Sequence, residues 1–441
     1  MNQRPESIDA ALARLSRFHP KSIDLSLDRV ERLLEALDRP QDRLPPVVHI
    51  AGTNGKGSTA AFLKATCEAA GERVHVYTSP HLVRFNERIT LAGEMVDDAR
   101  LEGAFARCEA ANGEAEITFF EITTAAAFLL FAETPADRLI LETGLGGRVD
   151  ATNVLAEPEL TIITPVSLDH QAFLGDTIEA IAFEKAGILK ARRPAIIGPQ
   201  APEALNVIDR QAAKLRAPLT LWDRDFHAYL EHDRLVFEAE GLLWDLPAPA
   251  LPGAHQVKNA AVAVAAARQL GLSEPACRAG LAAARWPGRL QRLTSGPLYE
   301  AANANDAALW LDGGHNPGAA EALASTLGEM EARDTRPLVL IAGFSINKDA
   351  KAYFEFFSGL AARVIAVGFS SGREGAQPAQ QVADAARAAD IPAQTSAGLI
   401  EAIHDACEDY DAPRILICGS LYLAGEALAL GGENRVQTTP G

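Results

Sequence analysis

Short apolar runs recur along this chain, each followed by a turn and a longer stretch whose apolar positions fall at helical spacing. The runs Val47–Ala51, 73–77, Arg138–Glu142, 160–165 and 194–197 are almost continuously hydrophobic, as strands covered on both faces are. Residues 121–132 and 177–189 between them read as helices. The alternation predicts a mostly parallel sheet with helices on both faces. Residues 6–39 precede it and read as helices, with Val30, Leu33, Leu34 and Leu37 on one face. Residues 218–250 break the rhythm. The runs 219–222, 228–230, 235–239 and 242–246 are short, with polar turns between them, and predict a small antiparallel sheet at the edge of the first domain. Helices over 259–270 and 274–284 close that domain, and Pro287-Gly288 reads as a hinge. A second alternating run, with strands at 308–312, 338–343, 363–367 and Arg414–Cys418, predicts a smaller doubly wound α/β domain. The expected organisation is therefore 1–289, 290–431 and a disordered tail, 432–441.

One turn carries most of the chemical information. Residues 49–59 read HIAGTNGKGST. An apolar strand leads into a glycine-rich turn that ends in Lys56-Gly57-Ser58, and a helical stretch follows. Such a turn cradles phosphate. Backbone N–H groups and the helix dipole face the anion, the lysine reaches the outer phosphates, and the hydroxyl can hold Mg²⁺. The spacing departs from the common P-loop, because Ile50 stands where the first glycine would be and Gly57 separates Lys56 from Ser58.

Composition narrows the reading only a little. The 441 residues exceed one ordinary domain. A formal net charge of -17 disfavours a broad nucleic-acid surface. The five cysteines are scattered, with no CxxC pair or His/Cys cluster of zinc-site type, so reduced thiols are expected. No signal-like start and no long apolar stretch is found, so a cytoplasmic protein with no membrane partner and no nucleic-acid partner is expected.

The GTNGKGS form resembles the P-loop of the Mur-ligase superfamily. Six further segments extend the resemblance in order: TSPHLVRFNERI (78–89), LETGLGGRVDATN (141–153), SLDHQAFLG (167–175), EKAGI (184–188), DGGHNP (312–317) and GSLYLAGE (419–426). Together they resemble the dihydrofolate synthase/folylpolyglutamate synthase family over about residues 20–430. The resemblance implies a P-loop-containing, mostly parallel sheet domain with a small antiparallel sheet, then a smaller Rossmann-like α/β domain. It also implies ATP and two Mg²⁺ ions as cofactors.

The residues themselves and the resemblance assign the site together. Gly52, Thr53, Asn54, Gly55, Lys56, Gly57, Ser58 and Thr59 would bind ATP, joined on resemblance by Asn259, Arg289 and Asp312. Glu142 ends a strand, where ligands bind in parallel sheets, and a solvated strand end is the alternative. His170 is either a metal ligand or an ordinary loop histidine. The resemblance gives one Mg²⁺ to Ser58 and the nucleotide phosphates, and the second to Ser79, Glu142 and His170. It makes Lys185 a carbamylated lysine that supports the metals, and an unmodified lysine neutralising phosphate is the alternative. Lys56, Lys185, Asp312 and His315 form the implied catalytic set. Phe120, as a stacking plane, and Asp150 with Ala151, as an acceptor of ring N–H groups, match folate positions, and core packing is the alternative for Phe120. Arg84 either pairs with a carboxylate or orders its loop. His315 and Ser420 are the implied contacts for incoming glutamate. The neighbourhood of Asn259 departs from the family, which commonly has His-Asn at His255-Gln256.

The expected activity is ATP-dependent addition of L-glutamate to dihydropteroate and to the γ-carboxylate of tetrahydrofolates, through an acyl phosphate, by a monomer whose two domains close over the reacting groups. Two alternatives stand beside it. Another Mur-type ligase would carry a separate substrate domain before the P-loop, where 51 residues precede Gly52. A non-catalytic nucleotide-binding regulator would leave Glu142, His170, Asp312 and His315 idle.

Overall fold

The computed structural model describes residues 8–18, 26–370 and 375–431. The expected tail at 432–441 and parts of the expected N-terminal helical region lie outside these. The chain forms two compact units. The first takes in the chain up to Pro80 with Asn86–Ala250 and His255–Arg285. The second takes in His81–Phe85, Leu251–Ala254 and the chain from Trp286 onward.

The first unit opens with helices Ile8–Leu15 and Asp28–Ala36. Its strands are β1 (Val47–Ala51), β2 (Val74–Tyr77), β3 (Ile89–Leu91), β4 (Glu94–Met95), β5 (Arg138–Glu142), β6 (Leu160–Ile163), β7 (Ala195–Ile197), β8 (Leu219–Leu221), β9 (Phe226–Glu231), β10 (Arg234–Ala239) and β11 (Leu242–Pro247). The first eight form one sheet in the order β4-β3-β2-β5-β1-β6-β7-β8. From β2 to β8 all pairs are parallel, and β3 and β4 add an antiparallel edge. The run at 219–222 therefore does not join the small antiparallel sheet expected from its sequence. Its first three residues pair with β7 and extend the parallel sheet, and only β9, β10 and β11 form the separate sheet. Three apolar residues fit either sheet locally, so the pairing is decided by a distant partner.

β1 lies at the centre, between β5 and β6. All five of its residues are buried, which explains a run with no polar alternation. The helix Lys56–Ala69 leaves its carboxyl end and packs against Glu274–Ala283. The crossing is close because Gly280 lies against Thr66, where a Cβ would overlap the backbone. The helix Phe119–Glu133 is buried on nearly every side and starts in a Thr118/Glu121 capping box.

The second unit holds β12 (Gln291–Arg292), β13 (Ala308–Leu311), β14 (Leu338–Ala342), β15 (Ala361–Ala366), β16 (Ala393–Thr395) and β17 (Arg414–Cys418). Their order is β12-β13-β17-β14-β15-β16. Only β12 runs antiparallel. Apolar clusters cover both faces, one built on Leu340, Tyr353 and Phe354 and the other on Ile341, Ile415 and Ile403. Among the described residues no helix is long and apolar enough to cross a membrane.

Candidate nucleotide and acceptor site

In the first unit the chemistry collects where β5, β1 and β6 end side by side. Ile50 pairs with Glu142, and Ala51 with Ile163, so the three following loops start at one edge. This is where open parallel sheets hold ligands. The loop after β1 turns at Gly52 and Gly55, with φ of 147° and 90°, values that L side chains rarely adopt. It is clamped to the chain after β6: Thr53 N and Asn54 N donate to Pro165 O at 2.9 and 3.3 Å. The Thr53 hydroxyl donates to Ser167 O and accepts from Ser167 N, both at 3.0 Å. Thr53, expected to meet ATP, thus has its hydroxyl engaged in fixing the loop. A Cβ on Gly52 would overlap Thr164 Oγ1 and lie 2.9 Å from Thr164 O. Gly52→Ala is accordingly expected to destabilise the unit by about 1–3 kcal/mol and to weaken ADP binding. Unchanged thermal midpoint and ADP affinity would contradict the strained-turn account.

Two lysines converge on this loop. Lys56 Nζ donates to Gly52 O at 3.0 Å and Thr53 O at 3.2 Å, and lies 3.9 Å from Glu142 Oε1. Lys185 Nζ, buried, donates to the same Gly52 carbonyl at 2.9 Å. Burial first, and the Lys56 charge second, lower the Lys185 amine to about 7. Its helix, Ile178–Ala186, is gripped by the Gly-rich loop after β5. Arg148 N donates to Glu184 O at 2.7 Å, and a side chain at Gly187 would collide with Arg148.

The N-terminus of the helix Lys56–Ala69 carries the buried hydroxyl of Ser58. Gln256 Nε2 donates to Ser58 Oγ at 3.2 Å, and Asn259 Nδ2 donates to Gln256 Oε1 at 3.0 Å. Asn259 also lies directly over Gly55, where a Cβ would meet its side chain. Gln256 was not among the expected site residues. The helix that carries both runs Ala254–Gln269 and begins five residues before the expected 259, so that Gln256 stands one turn from Asn259 on one face. His170 caps the short helix Gln171–Leu174 at φ 51°, half exposed, 4.0 Å from Asp169 Oδ2. Ser79 follows β2 and precedes a cis Pro80.

The expected acceptor residues of this unit lie beside the same loops. The Phe120 ring covers Gly144, where a Cβ would overlap Cζ and lie 2.8 Å from Cε1 and Cε2. Asp150 is buried. Its Oδ2 accepts from Leu145 N at 2.8 Å, and its Oδ1 from Thr152 N at 3.0 Å and Thr152 Oγ1 at 2.5 Å. Ala151 is buried next to it.

The remaining predicted residues belong to the second unit. Asp312, buried at the end of β13, accepts from Leu290 N at 2.7 Å and Gly314 N at 2.6 Å. It therefore fixes the backbone just after Arg289 and just before His315. Arg289 donates to Gly288 O at 3.0 Å, and His315 Nδ1 lies 3.1 Å from Gly313 O. Ser420 caps the helix Leu421–Leu430, its hydroxyl accepting from Tyr422 N at 3.1 Å. Arg84 lies in His81–Phe85, so it groups with these residues and not with Phe120 and Asp150.

A buried hydroxyl and carboxylate, Ser58 and Glu142, with the half-exposed imidazole of His170, offer donors that suit a hard divalent cation such as Mg²⁺ or Mn²⁺ completing its shell with phosphate oxygens. Among the described residues no group of three or more His, Cys, Asp or Glu side chains is arranged to hold a metal by itself.

Comparison with known proteins gives this arrangement a lineage. Residues 50–267 match the Mur ligase middle domain, and residues 297–430 the dihydrofolate synthetase C-terminal domain. The dihydrofolate synthase/folylpolyglutamate synthase of Escherichia coli is 38% identical over 343 residues, covering 77% of this chain and 76% of its own. The structure of E. coli FolC in complex with DHPP and ADP superposes with a TM-score of 0.86 at 31% identity, covering 98% of this chain and 99% of that one. The bifunctional folylpolyglutamate synthase/dihydrofolate synthase from Yersinia pestis, complexed with AMPPNP and Mn ion, gives 0.85 at 32% identity, covering 97% and 99%. The chain belongs to the dihydrofolate synthase/folylpolyglutamate synthase family.

Proposed function

We infer that this chain is an ATP- and divalent-metal-dependent ligase that adds L-glutamate to dihydropteroate and to the γ-carboxylate of tetrahydrofolates. The observation that carries the reading is the meeting of Lys56, Lys185 and Glu142 around the Gly52 loop, at the open end of the helix that bears Ser58. That is a site for polyphosphate with its cation, in a chain whose relatives carry ADP or AMPPNP.

In the reaction an acceptor carboxylate oxygen attacks the γ-phosphorus, the bond to ADP breaks, and an acyl phosphate forms. The glutamate amine then attacks the acyl carbon, and phosphate leaves as the amide forms. Little of this needs covalent help from the protein, so positioning and charge stabilisation dominate. Lys56 offsets charge on the transferring phosphoryl group. Ser58, Ser79, Glu142 and His170 would hold two Mg²⁺ ions with phosphate oxygens, and the ions would supply further charge neutralisation there. Lys185, as a carbamate, would orient that site. Asn259 and Arg289 bind the nucleotide. Asp312 positions Arg289 and His315, and His315 and Ser420 receive glutamate. Phe120 and Asp150-Ala151 hold the acceptor ring, with Arg84 serving its carboxylate end.

We assign 1–289 to nucleotide and acceptor binding and 290–431 to a Mur-ligase-type C-terminal domain, in a cytoplasmic monomer with small-molecule partners only. The functional test is phosphate release from ATP with Mg²⁺ and L-glutamate, run with dihydropteroate, with tetrahydrofolate and with neither. Release with both acceptors is expected. No acceptor-dependent release from folded, ATP-binding protein would overturn the reading.

Gly144→Ala tests the acceptor plane separately. Its Cβ would displace the Phe120 ring. The KM for dihydropteroate is expected to rise about tenfold, equivalent to ~1.4 kcal/mol, with the KM for ATP unchanged. Equal effects on both constants, or none, would remove Phe120 from the acceptor site.

A further inference from the structure

His49 is a fully buried histidine in the central strand β1, with no place in the chemistry above. Its Nε2 lies 2.8 Å from Thr152 Oγ1, 103 residues away in sequence. Its Nδ1 has no hydrogen-bond partner among the described residues. Burial first, and the charge of Lys190 second, lower this imidazole to about 3, so it is neutral and carries one proton. The position of that proton follows from the surroundings. A buried N–H left without an acceptor is costlier than a buried lone pair left without a donor. The proton therefore sits on Nε2 and is donated to Thr152 Oγ1. Thr152, with one lone pair taken by His49, turns its own proton to Asp150 Oδ1 at 2.5 Å.

We propose that His49 and Thr152 are positioning residues of the acceptor subsite: a directed donor chain, His49 Nε2–H to Thr152 Oγ1–H to Asp150 Oδ1, holds the Asp150 carboxylate ionised and in one orientation for the N–H donors of the acceptor ring. The proposal rests on the reading of Asp150 as an acceptor contact. Burial is the larger effect and leaves the Asp150 carboxyl raised above its ordinary value, with donors from Leu145, Thr152 and Gly144 opposing it. Leu145 N, Thr152 N and the Thr152 hydroxyl donate to the Asp150 carboxylate, and the Gly144 backbone is a further donor to it, so a ring N–H would share an oxygen already engaged by the protein. The chain from His49 fixes the direction of the Thr152 hydroxyl, and with it the orientation of the carboxylate. An ionised carboxylate only accepts, so the subsite selects rings that offer N–H and rejects those that offer a bare acceptor there.

The experiment titrates dihydropteroate into the full-length protein in the presence of Mg-ADP, and ADP separately, for wild type, Thr152→Val, Thr152→Ser, His49→Leu and His49→Gln. The amide of glutamine can place a donor near the position of Nε2, and serine keeps the hydroxyl. Thr152→Val and His49→Leu are expected to weaken dihydropteroate roughly ten- to a hundredfold with ADP affinity unchanged. Thr152→Ser and His49→Gln are expected to recover most of the affinity. Wild-type dihydropteroate affinity in both Thr152→Val and His49→Leu would overturn the donor chain and leave the function assignment standing. Parallel loss of ADP and dihydropteroate binding in every variant would make the pair a packing element and overturn it too. Wild-type protein that binds ADP and no dihydropteroate would overturn the acceptor reading, and the inference with it.

Discussion

Lys56→Ala is expected to lower acceptor-dependent phosphate release by about 10²–10³-fold, the usual effect of removing one preorganised charge-stabilising donor, while the protein stays folded. The Lys56 ammonium donates to carbonyls of its own loop, Gly52 O and Thr53 O, and stands 3.9 Å from Glu142. The turn itself is held by Pro165 and Ser167, so truncating the lysine leaves the backbone cradle in place. ADP binding should therefore weaken less than turnover falls. Lys56→Arg is not expected to rescue, because a planar fork cannot replace a compact ammonium among these carbonyls. Near-normal turnover of Lys56→Ala would remove Lys56 from the phosphoryl-transfer step.

Lys185→Ala is expected to lose about 10–100-fold in turnover, the range found when a group that orients metal ligands is removed. The more specific expectation concerns pH and CO₂. Burial beside Lys56 lowers the Lys185 amine to about 7. Below that pH it is an ammonium, and above it a neutral amine that can attack CO₂, release a proton and become a carbamate anion. Wild-type turnover should therefore rise as pH passes upward through about 7, and more steeply with dissolved CO₂ than in CO₂-depleted buffer. The same shift has a stability consequence of known sign. Folding disfavours the charged amine, so the penalty is complete below about pH 7 and disappears as pH rises towards the ordinary lysine value of 10.5. Equal turnover with and without CO₂, together with an unmodified intact mass, would leave Lys185 as an amine that meets phosphate directly.

The sequence was most legible where local pattern and burial agree. β1, β5 and β17 fall on the residues expected, because each is an apolar run buried along its length. The hairpin β3–β4 and the strands β12 and β16 leave no signal in the sequence, since strands of two or three residues carry no periodicity. By local pattern the residues of β8 fit the small antiparallel sheet, and they pair with β7 instead because tertiary packing specifies that partner. At the site, Gly52 to Ser58 could be read directly because a phosphate cradle is one continuous segment. Gln256 and Thr152 were missed for the opposite reason. Their partners, Ser58 and His49, lie 198 and 103 residues away, and His49 reads within β1 as one more core residue. Asp312 was legible as a strand-end carboxylate. Its bonds to Leu290 N and Gly314 N, which make it an organiser of the backbone around Arg289 and His315, were not.

The central claim is that a carboxylate is activated by phosphorylation and then captured by glutamate. The most direct measurement uses dihydropteroate carrying heavy oxygen in its carboxylate, with ATP, Mg²⁺, L-glutamate and the full chain, and follows both products by mass spectrometry. The account predicts a glutamyl amide together with inorganic phosphate that carries one heavy oxygen for each amide formed. Amide formation with unlabelled phosphate would contradict the acyl-phosphate route, and labelled acceptor recovered unchanged would contradict the ligase itself.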